Sequence, residues 1–232
     1  MSDAVFSAPY PVVLDLRGRR ALVVGAGPVA ARKVAGLLSA GAVVTVVAPD
    51  AVPEVANDPD VRWHRREYRR GEVASYRVAI TATSDPAVNR QVARDGEAAN
   101  VFVNSADDPS NCAFILPSVV TRGDLQIAVS TNGRSPAMAR WARRHLETLF
   151  TDVHARTLDL LSEVRDEVRA SLGTSEVSGW DELIDDDLFD LVAAGRHDAA
   201  LHHLRSGLGI AGPVRQEPDQ NEGLELSERT GS

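Results

Sequence analysis

The sequence predicts an α/β fold in which helices flank a parallel β-sheet. Short apolar runs alternate with amphipathic helical segments through the first half of the chain, and a glycine-rich turn joins the first run to the first helical segment. The second apolar run, residues 42–48, carries a single polar side chain, as expected of a strand buried on both faces. Together these patterns indicate a doubly wound, Rossmann-like sheet.

The composition is that of a globular protein. The chain has 232 residues, 44% of them hydrophobic, and a formal net charge of −8, so we expect a substantial core and no nucleic-acid partner. We find no basic segment followed by a long apolar one at the N-terminus, and no apolar run of membrane-spanning length. Cys112 is the only cysteine, which fits a reducing compartment. These features predict a cytoplasmic protein without a membrane partner.

The first strand and helix are predicted from residues 19–41. A buried strand runs into the glycine-rich turn, and a helix follows in which Ala30, Val34 and Leu37 recur at the spacing of one helical face. Gly41 is suited to ending this helix, because glycine readily adopts the left-handed conformation found after helix C-termini.

The next elements continue the alternation of strands and helices. A helix over 84–100 is expected to begin with Ser84 or Asp85 as its cap and Pro86 in its first turn. The remaining predicted strands of the sheet are residues 42–48, 61–68, 76–84 and 101–106.

The pattern changes after Asp107. Residues 112–131 contain two strand-like runs joined by a polar turn, which is typical of a hairpin, and a helix then begins with Ser135 as its cap. The rest of the chain reads as helical to about residue 209, followed by a polar tail. The predicted domains are a nucleotide-binding domain, a dimerisation and active-site segment, a helical domain and a disordered tail, at residues 1–115, 116–150, 151–212 and 213–232.

The glycine-rich turn predicts a dinucleotide site. Gly25, Gly27 and Ala30 form a G-x-G-x-x-A pattern directly after a strand and at the start of a helix. Gly25 permits the tight turn, Gly27 lets the backbone approach a pyrophosphate, and Ala30 allows close packing of helix on strand. The alternative is a glycine-rich turn without a ligand, but the surrounding strands and helix favour nucleotide binding.

Two further positions are expected to line this site. Asp50 follows the second strand, where an acidic residue usually holds the ribose hydroxyls, and no cation follows it in the chain, so NAD is favoured over NADP. Thr83 ends the fourth strand and is expected to face the cofactor cleft, although capping of the next helix is an equal alternative.

Two polar segments are candidates for the chemistry. Asn104, Asp107 and Asp108 cluster at the carboxyl end of the fifth strand, where a carboxylate can act as a base, although aspartates before a proline are also common turn formers. Ser130, Arg134 and Ser135 precede a helix N-terminus and could bind an anion, or could form a capped loop without a ligand.

These segments resemble the siroheme synthase N-terminal family. The resemblance rests on GAGPVAARKVAGLLSAGAVVTVVAPD, TATSDPAVN and VNSADDPSNCAFILPSVVTRGDLQIAVSTNGRSPAMAR, which occur in this order and cover residues 10–150 well. It implies an enzyme that oxidises precorrin-2 to sirohydrochlorin with NAD and, in some members, inserts ferrous iron to make siroheme. Ferrous iron would then be a substrate.

The family's motifs also imply roles for single residues. Asp107 matches the aspartate proposed as the base, and cofactor contacts map to Pro28, Val29, Pro49 and Asp50.

The resemblance implies a substrate-binding role for a second set of residues: Asn104, Ser130, Thr131, Arg134 and Ser135. Thr131 stands where some members carry a regulatory phosphoserine. Arg134, Arg140 and Arg143 are further candidates to hold the eight carboxylates of precorrin-2, although they would also suit a solvated helix face.

Several expectations complete the hypothesis. We expect a homodimer and no C-terminal methyltransferase domain. We also expect no fixed metal site, because the six histidines lack metal-ligand spacing. The alternatives are a dehydrogenase without chelatase activity and an NAD-sensing regulatory protein. The second is disfavoured because such proteins lack the segment at 132–140 and the hairpin before it.

Overall fold

The computed structural model describes residues 9–106, 112–174 and 177–210. Within these residues the chain divides into two compact units. The first contains the residues up to Ser118 together with Ala128–Arg143, and the second contains Val119–Ile127 together with the residues from Arg144 onwards. The boundaries of the four predicted domains stay predictions, and the predicted tail at 213–232 lies outside the described residues.

The first unit is built on a parallel sheet of five strands. Neighbouring strands pair in the order β3-β2-β1-β4-β5, and every pair is parallel. This order places β1 at the centre and reverses direction beside it, which leaves a crevice at the carboxyl ends of β1 and β4. The Rossmann-like prediction is therefore confirmed. The strands are β1 (Arg20–Val24), β2 (Val43–Ala48), β3 (Val61–Arg65), β4 (Val78–Thr81) and β5 (Phe102–Ser105).

The helices of this sheet begin and end where local chemistry favours it. α1 (Pro28–Ser39) starts at a proline and is followed by Gly41 at φ 73°. α3 (Pro86–Ala99) is capped by Asp85, whose carboxylate accepts a 2.8 Å hydrogen bond from Ala87 N–H. The short helix α2 (Pro53–Ala56) and a 3₁₀ turn at Glu72–Ser75 have no counterpart in the predicted elements.

Two apolar cores cover the two faces of the sheet. Along β1, Ala21 and Val23 belong to one core, whereas Leu22 and Val24 belong to the other. Side chains alternate between the faces of a strand, so a central strand covered on both sides is apolar at every position. This explains why the strand runs at the centre of the sheet lack alternation of polar and apolar residues.

The remaining elements comprise a small sheet and five helices. β6 (Ser118–Arg122) and β7 (Leu125–Val129) form a two-stranded sheet, as predicted. In the second unit, α5 contacts α7 and α8 around a core that includes Val164, Leu188 and Leu204. The helices are α4 (Pro136–Leu149), α5 (Asp152–Leu172), α6 (Trp180–Leu183), α7 (Asp186–Ala193) and α8 (His197–Gly207).

Candidate dinucleotide-binding site

The carboxyl ends of the central strands lie in one row. Val24 pairs with Val47 on one side and with Thr81 on the other, and Thr81 pairs with Ser105. Because the strands are parallel and in register, the segments that follow them emerge at the same edge of the sheet. That edge brings together the glycine-rich turn and the segments after β2, β4 and β5.

Gly25 is required by the backbone itself. Its φ is 102°, and a Cβ added there would lie 2.5 Å from the backbone oxygen of Ala82. Its N–H donates a 2.9 Å hydrogen bond to the carbonyl of Val47. The turn after β1 therefore passes so close to the chain after β4 that only glycine fits.

Gly27 opens a space at the start of α1. It is the N-cap residue in extended conformation, no side chain caps the helix, and a Cβ added there would meet nothing within 4 Å. The first-turn N–H groups of a helix have no acceptor inside it. Because Pro28 lacks a backbone N–H, the N–H groups of Val29 and Ala30 are the first ones available in α1. These N–H groups and the helix dipole are suited to binding phosphate.

Asp50 lies at the same edge and has a partner that the sequence did not reveal. Its exposed carboxylate Oδ1 is 3.3 Å from Nη2 of Arg65, the last residue of β3. No cation directly follows Asp50 along the chain, as noted from the sequence, but the adjacent strand supplies one in space. The strand order would have been the signal, since β2 and β3 are neighbours in this class of sheet.

Thr83 is tied to the beginning of α3. Its hydroxyl lies 3.0 Å from the carbonyl oxygen of Asp85 and 2.9 Å from Oδ1 of Asn89, and it accepts a hydrogen bond from Asp85 N–H. These contacts hold the turn before α3, whose cap is Asp85 and not Thr83. The predicted cofactor contact of Thr83 stays a prediction.

Hydrogen bonds join the end of β5 to residues 112–114. Asn104 is 7% exposed, and its amide Nδ2 donates a 2.8 Å hydrogen bond to the carbonyl of Phe114. The backbone N–H of Ser105 donates to Sγ of Cys112, which in turn donates to the carbonyl of Ser105, each at 3.2 Å. These contacts join the two ends of the segment 106–112. Asp107 lies outside the described residues, so its role stays a prediction.

A buried hydroxyl pair supports the same strand ends. Thr81 Oγ1 donates a 3.2 Å hydrogen bond to Ser105 Oγ, and both residues are buried. Because the two strands are neighbours in register, the Ser105 hydroxyl accepts the hydrogen bond from the Thr81 hydroxyl without disturbing the sheet. This explains how a serine is accommodated at position 105.

The loop before α4 satisfies its own hydroxyl groups. Thr131 Oγ1 donates to the carbonyl of Ser135 and accepts from its N–H, at 3.1 and 3.2 Å. Ser130 Oγ accepts from Asn132 N–H, and Ser135 Oγ accepts from Met138 N–H, which confirms Ser135 as the cap of α4. The substrate roles of Ser130, Thr131, Arg134, Ser135 and Asn104 stay predictions.

In the described ranges, no three or more His, Cys, Asp or Glu side chains come together as a group that could hold a metal ion. No helix among the described residues combines the length and the apolar character needed to cross a bilayer.

Family comparisons agree with this geometry. A model described as putative NAD(P)-binding matches residues 12–118, and a model described as sirohaem biosynthesis protein central matches residues 122–149. The parallel sheet, the glycine-rich turn and the open helix N-terminus thus define an NAD(P)-binding α/β protein.

The relatives identify the family. The chain is 36% identical over 209 residues to a siroheme synthase of Methylobacillus flagellatus, and this match covers 88% of this chain and 45% of the relative. It is 37% identical over 204 residues to a siroheme synthase of Thioalkalivibrio sulfidiphilus, and that match covers 86% of this chain and 42% of the relative. The solved structure of SirC, precorrin-2 dehydrogenase, overlaps with a TM-score of 0.68 at 29% identity, over 85% of this chain and 100% of that one. The two family models and these relatives agree in matching the chain to the siroheme synthase N-terminal family, as its motifs predict. It spans less than half the length of these curated siroheme synthases.

Proposed function

We propose that the chain oxidises precorrin-2 to sirohydrochlorin with NAD as the hydride acceptor. The observation that carries the proposal is the overlap with the whole of SirC, precorrin-2 dehydrogenase, in fold and in sequence. The siroheme synthases among the relatives support the same pathway. A cytoplasmic location is part of the proposal and agrees with the presence of a single cysteine in the sequence.

The cofactor site in this proposal follows from the sheet edge. The N–H groups after Gly27 would hold the pyrophosphate, and the carboxylate of Asp50 would accept hydrogen bonds from the ribose hydroxyls. Pro28, Val29 and Pro49 would form the walls of the site, with Thr83 on its β4 side. Bound NAD supplies the acceptor for a hydride.

The chemistry requires a base beside the substrate. Oxidation removes a hydride and a proton and creates a double bond, so the products are sirohydrochlorin, NADH and a proton. Asp107 is the residue we propose to take the proton. The support is that it follows β5, whose last residue Ser105 pairs with Thr81 in the strand beside β1.

A second activity, ferrochelation, is favoured by the names of the curated relatives, which are siroheme synthases. Insertion of ferrous iron displaces two pyrrole protons, and a carboxylate such as Asp107 is suited to accepting them. The name of SirC mentions dehydrogenation alone. Both forms of the function are therefore tested together below, with iron treated as a substrate.

The substrate side is proposed to lie on the loop before α4 and on the helix itself. Arg134, Arg140 and Arg143 would pair with substrate carboxylates, because guanidinium groups bind carboxylates with paired hydrogen bonds. The polar groups of Asn104 and of the loop Ser130–Ser135 would complete this side.

A homodimer belongs to the same proposal. Met138 and Trp141 stand one helical turn apart on α4, and their side chains are 52% and 54% exposed. Ile115 and Leu116 are also exposed in this unit. Neighbouring exposed apolar side chains, such as Met138 and Trp141, are typical of surfaces that bury against another chain.

An anaerobic assay tests the function. The purified chain is mixed with precorrin-2 and NAD, absorbance is followed, and ferrous iron is added once oxidation is complete, with a reaction without enzyme as control. We expect sirohydrochlorin and NADH to form together in equal amounts. Iron insertion faster than in the control would establish the chelatase, whereas insertion at the control rate would restrict the chain to dehydrogenation. Absence of oxidation would refute the proposed function.

A further inference from the structure

The turn after β2 is held by a cation from the neighbouring strand. β2 and β3 are parallel, and Ala48 pairs with Arg65 at the point where both strands end. Arg65 Nε donates to the carbonyl of Pro49 and Nη2 to Oδ1 of Asp50, each at 3.3 Å. The guanidinium therefore sits directly against the carboxylate at the proposed ribose position.

Trp63 keeps this guanidinium in place. Trp63 and Arg65 alternate with His64 along β3 and so share one face of the strand. The indole Nε1 donates a 3.0 Å hydrogen bond to the carbonyl of Ala48, and Cζ of Arg65 lies 5.8 Å from the indole ring centroid, within the range of a cation–π contact. The cation is thus oriented by three groups, two of which belong to the segment that ends β2.

The guanidinium also retains free binding capacity. Its side chain is 72% exposed, and among the described residues Nη1 has no hydrogen-bond partner. Exposed ion pairs contribute little to folding stability, so stability does not explain the arrangement. An exposed arginine at this position is instead suited to a phosphate, which it binds through paired hydrogen bonds.

Charge at this position decides between the two dinucleotides. NADP differs from NAD by a phosphate on the 2′ oxygen of the adenosine ribose. A lone carboxylate accepts hydrogen bonds from the ribose hydroxyls and repels that phosphate, whereas a nearby arginine attracts it. In this chain the carboxylate and the guanidinium are in contact, so their charges offset each other.

We propose that Arg65 is a specificity-determining residue that binds the 2′-phosphate of NADP, so that the chain binds both NADP and NAD, with Asp50 serving the ribose hydroxyls of NAD. The proposal rests on the proposed function, because it assumes that a dinucleotide occupies the glycine-rich turn with its ribose beside Asp50. It goes beyond that function by naming a second cofactor and the residue that admits it.

Calorimetric titration of the full chain tests the proposal directly, without turnover. The ligands are NAD, NADP and their adenosine halves 5′-AMP and 2′,5′-ADP, which differ in the 2′-phosphate alone. We expect the dissociation constants of NAD and NADP to lie within about tenfold of each other, because a charge-assisted contact of Arg65 offsets the repulsion by Asp50. The affinity of 2′,5′-ADP should fall more steeply with ionic strength than that of 5′-AMP.

Three variants assign the effect to the pair. Arg65→Gln should raise the NADP-to-NAD ratio of dissociation constants by about tenfold or more, and Asp50→Asn should lower it, because each removes one charge. Arg62→Gln is the matched control, since it removes a cation three residues earlier on the same strand, and we expect it to leave the ratio unchanged.

The outcomes distinguish failure of the proposed role of Arg65 from failure of the proposed NAD-dependent function. Binding of NAD with NADP excluded by more than about a hundredfold would overturn the role of Arg65 and leave the cofactor site intact. An unchanged ratio in Arg65→Gln would do the same. Failure of all four ligands to bind the wild-type chain would overturn both proposals.

Discussion

The two glycines of the turn are needed for different reasons. Gly25 has a positive φ and touches the backbone of Ala82, so its requirement belongs to the folded protein itself. Gly27 has an ordinary φ of −80° and open space around it, so its requirement arises only when a ligand is present. A pair of substitutions can therefore separate folding from binding.

We expect Gly25→Ala to lower the free energy of unfolding by about 2 to 4 kcal/mol, through backbone strain and the clash with Ala82. Gly27→Val should cost about 1 kcal/mol or less as an N-cap change, yet abolish measurable NAD binding, because its side chain fills the space left for the pyrophosphate. Chemical denaturation and calorimetric titration measure the two effects. Normal NAD binding by Gly27→Val would refute the cofactor site.

Asp107 is the residue on which the proposed chemistry depends. Replacing Asp107 with Asn removes the base and keeps the size of the side chain, so turnover of precorrin-2 should fall by about a hundredfold to ten-thousandfold. NAD affinity should stay close to that of the wild type. Asp108→Asn is the matched control, and the assay is the anaerobic oxidation described above. Undiminished turnover by Asp107→Asn would remove the residue from the mechanism.

At the scale of the elements, a buried carboxylate joins α3 to the connection between β3 and β4. Asp95 is 9% exposed and accepts hydrogen bonds from the Tyr68 hydroxyl, from Gly71 N–H and from the Gln91 amide, at 2.8, 2.7 and 2.7 Å. Burial by itself would raise the pKa of Asp95, but these hydrogen bonds outweigh it and hold the pKa below its usual range.

This lowered pKa predicts how stability depends on pH. A carboxyl group with a lower pKa in the folded state stabilises that state above its unfolded pKa, and the contribution is lost as pH falls through the folded value. The free energy of unfolding of the wild type should therefore decline below about pH 4. Asp95→Asn should lose about 1 to 3 kcal/mol at neutral pH and show a weaker acid dependence.

Denaturation curves at several pH values check this prediction. Glu97→Gln is the control, because it removes an exposed carboxylate from the same helix. If Asp95→Asn and the wild type keep the same difference in stability down to strongly acidic pH, the carboxylate does not carry the acid dependence.

The sequence predicts the elements better than the contacts between them. The apolar run before Gly25, and Asp85 followed by Pro86 at the start of α3, are local signals, and both elements begin where those signals indicate. The pairing of Arg65 with Asp50 depends on which strands become neighbours, and that is decided by packing over long separations. Asp95 reads as an ordinary polar residue of a helix until Tyr68 and Gly71 fold against it. The short helix α2 lacks the length that makes a periodic pattern visible.

At the scale of the whole molecule, α4 is the element that bears on assembly. Trp141 is exposed on it, and the proposed homodimer would bury this side chain. We expect Trp141→Glu to convert the dimer to a monomer, because burying an unpaired carboxylate at an interface is costly, while Trp141→Phe keeps the dimer. Size-exclusion chromatography with light scattering measures both. A monomeric wild type, or a dimeric Trp141→Glu, would contradict the proposed assembly.

The path of the chain between the two units has a consequence for its biosynthesis. The five strands of the sheet are complete at Ser105, but the first unit also contains Ala128–Arg143, which follows an excursion of the chain through the second unit. A nascent chain synthesised only as far as Ser118 therefore contains the residues of all five strands but lacks the returning segment. Transferring the whole first unit to another protein would therefore require two separate segments, the residues up to Ser118 and Ala128–Arg143, to be joined by a new linker.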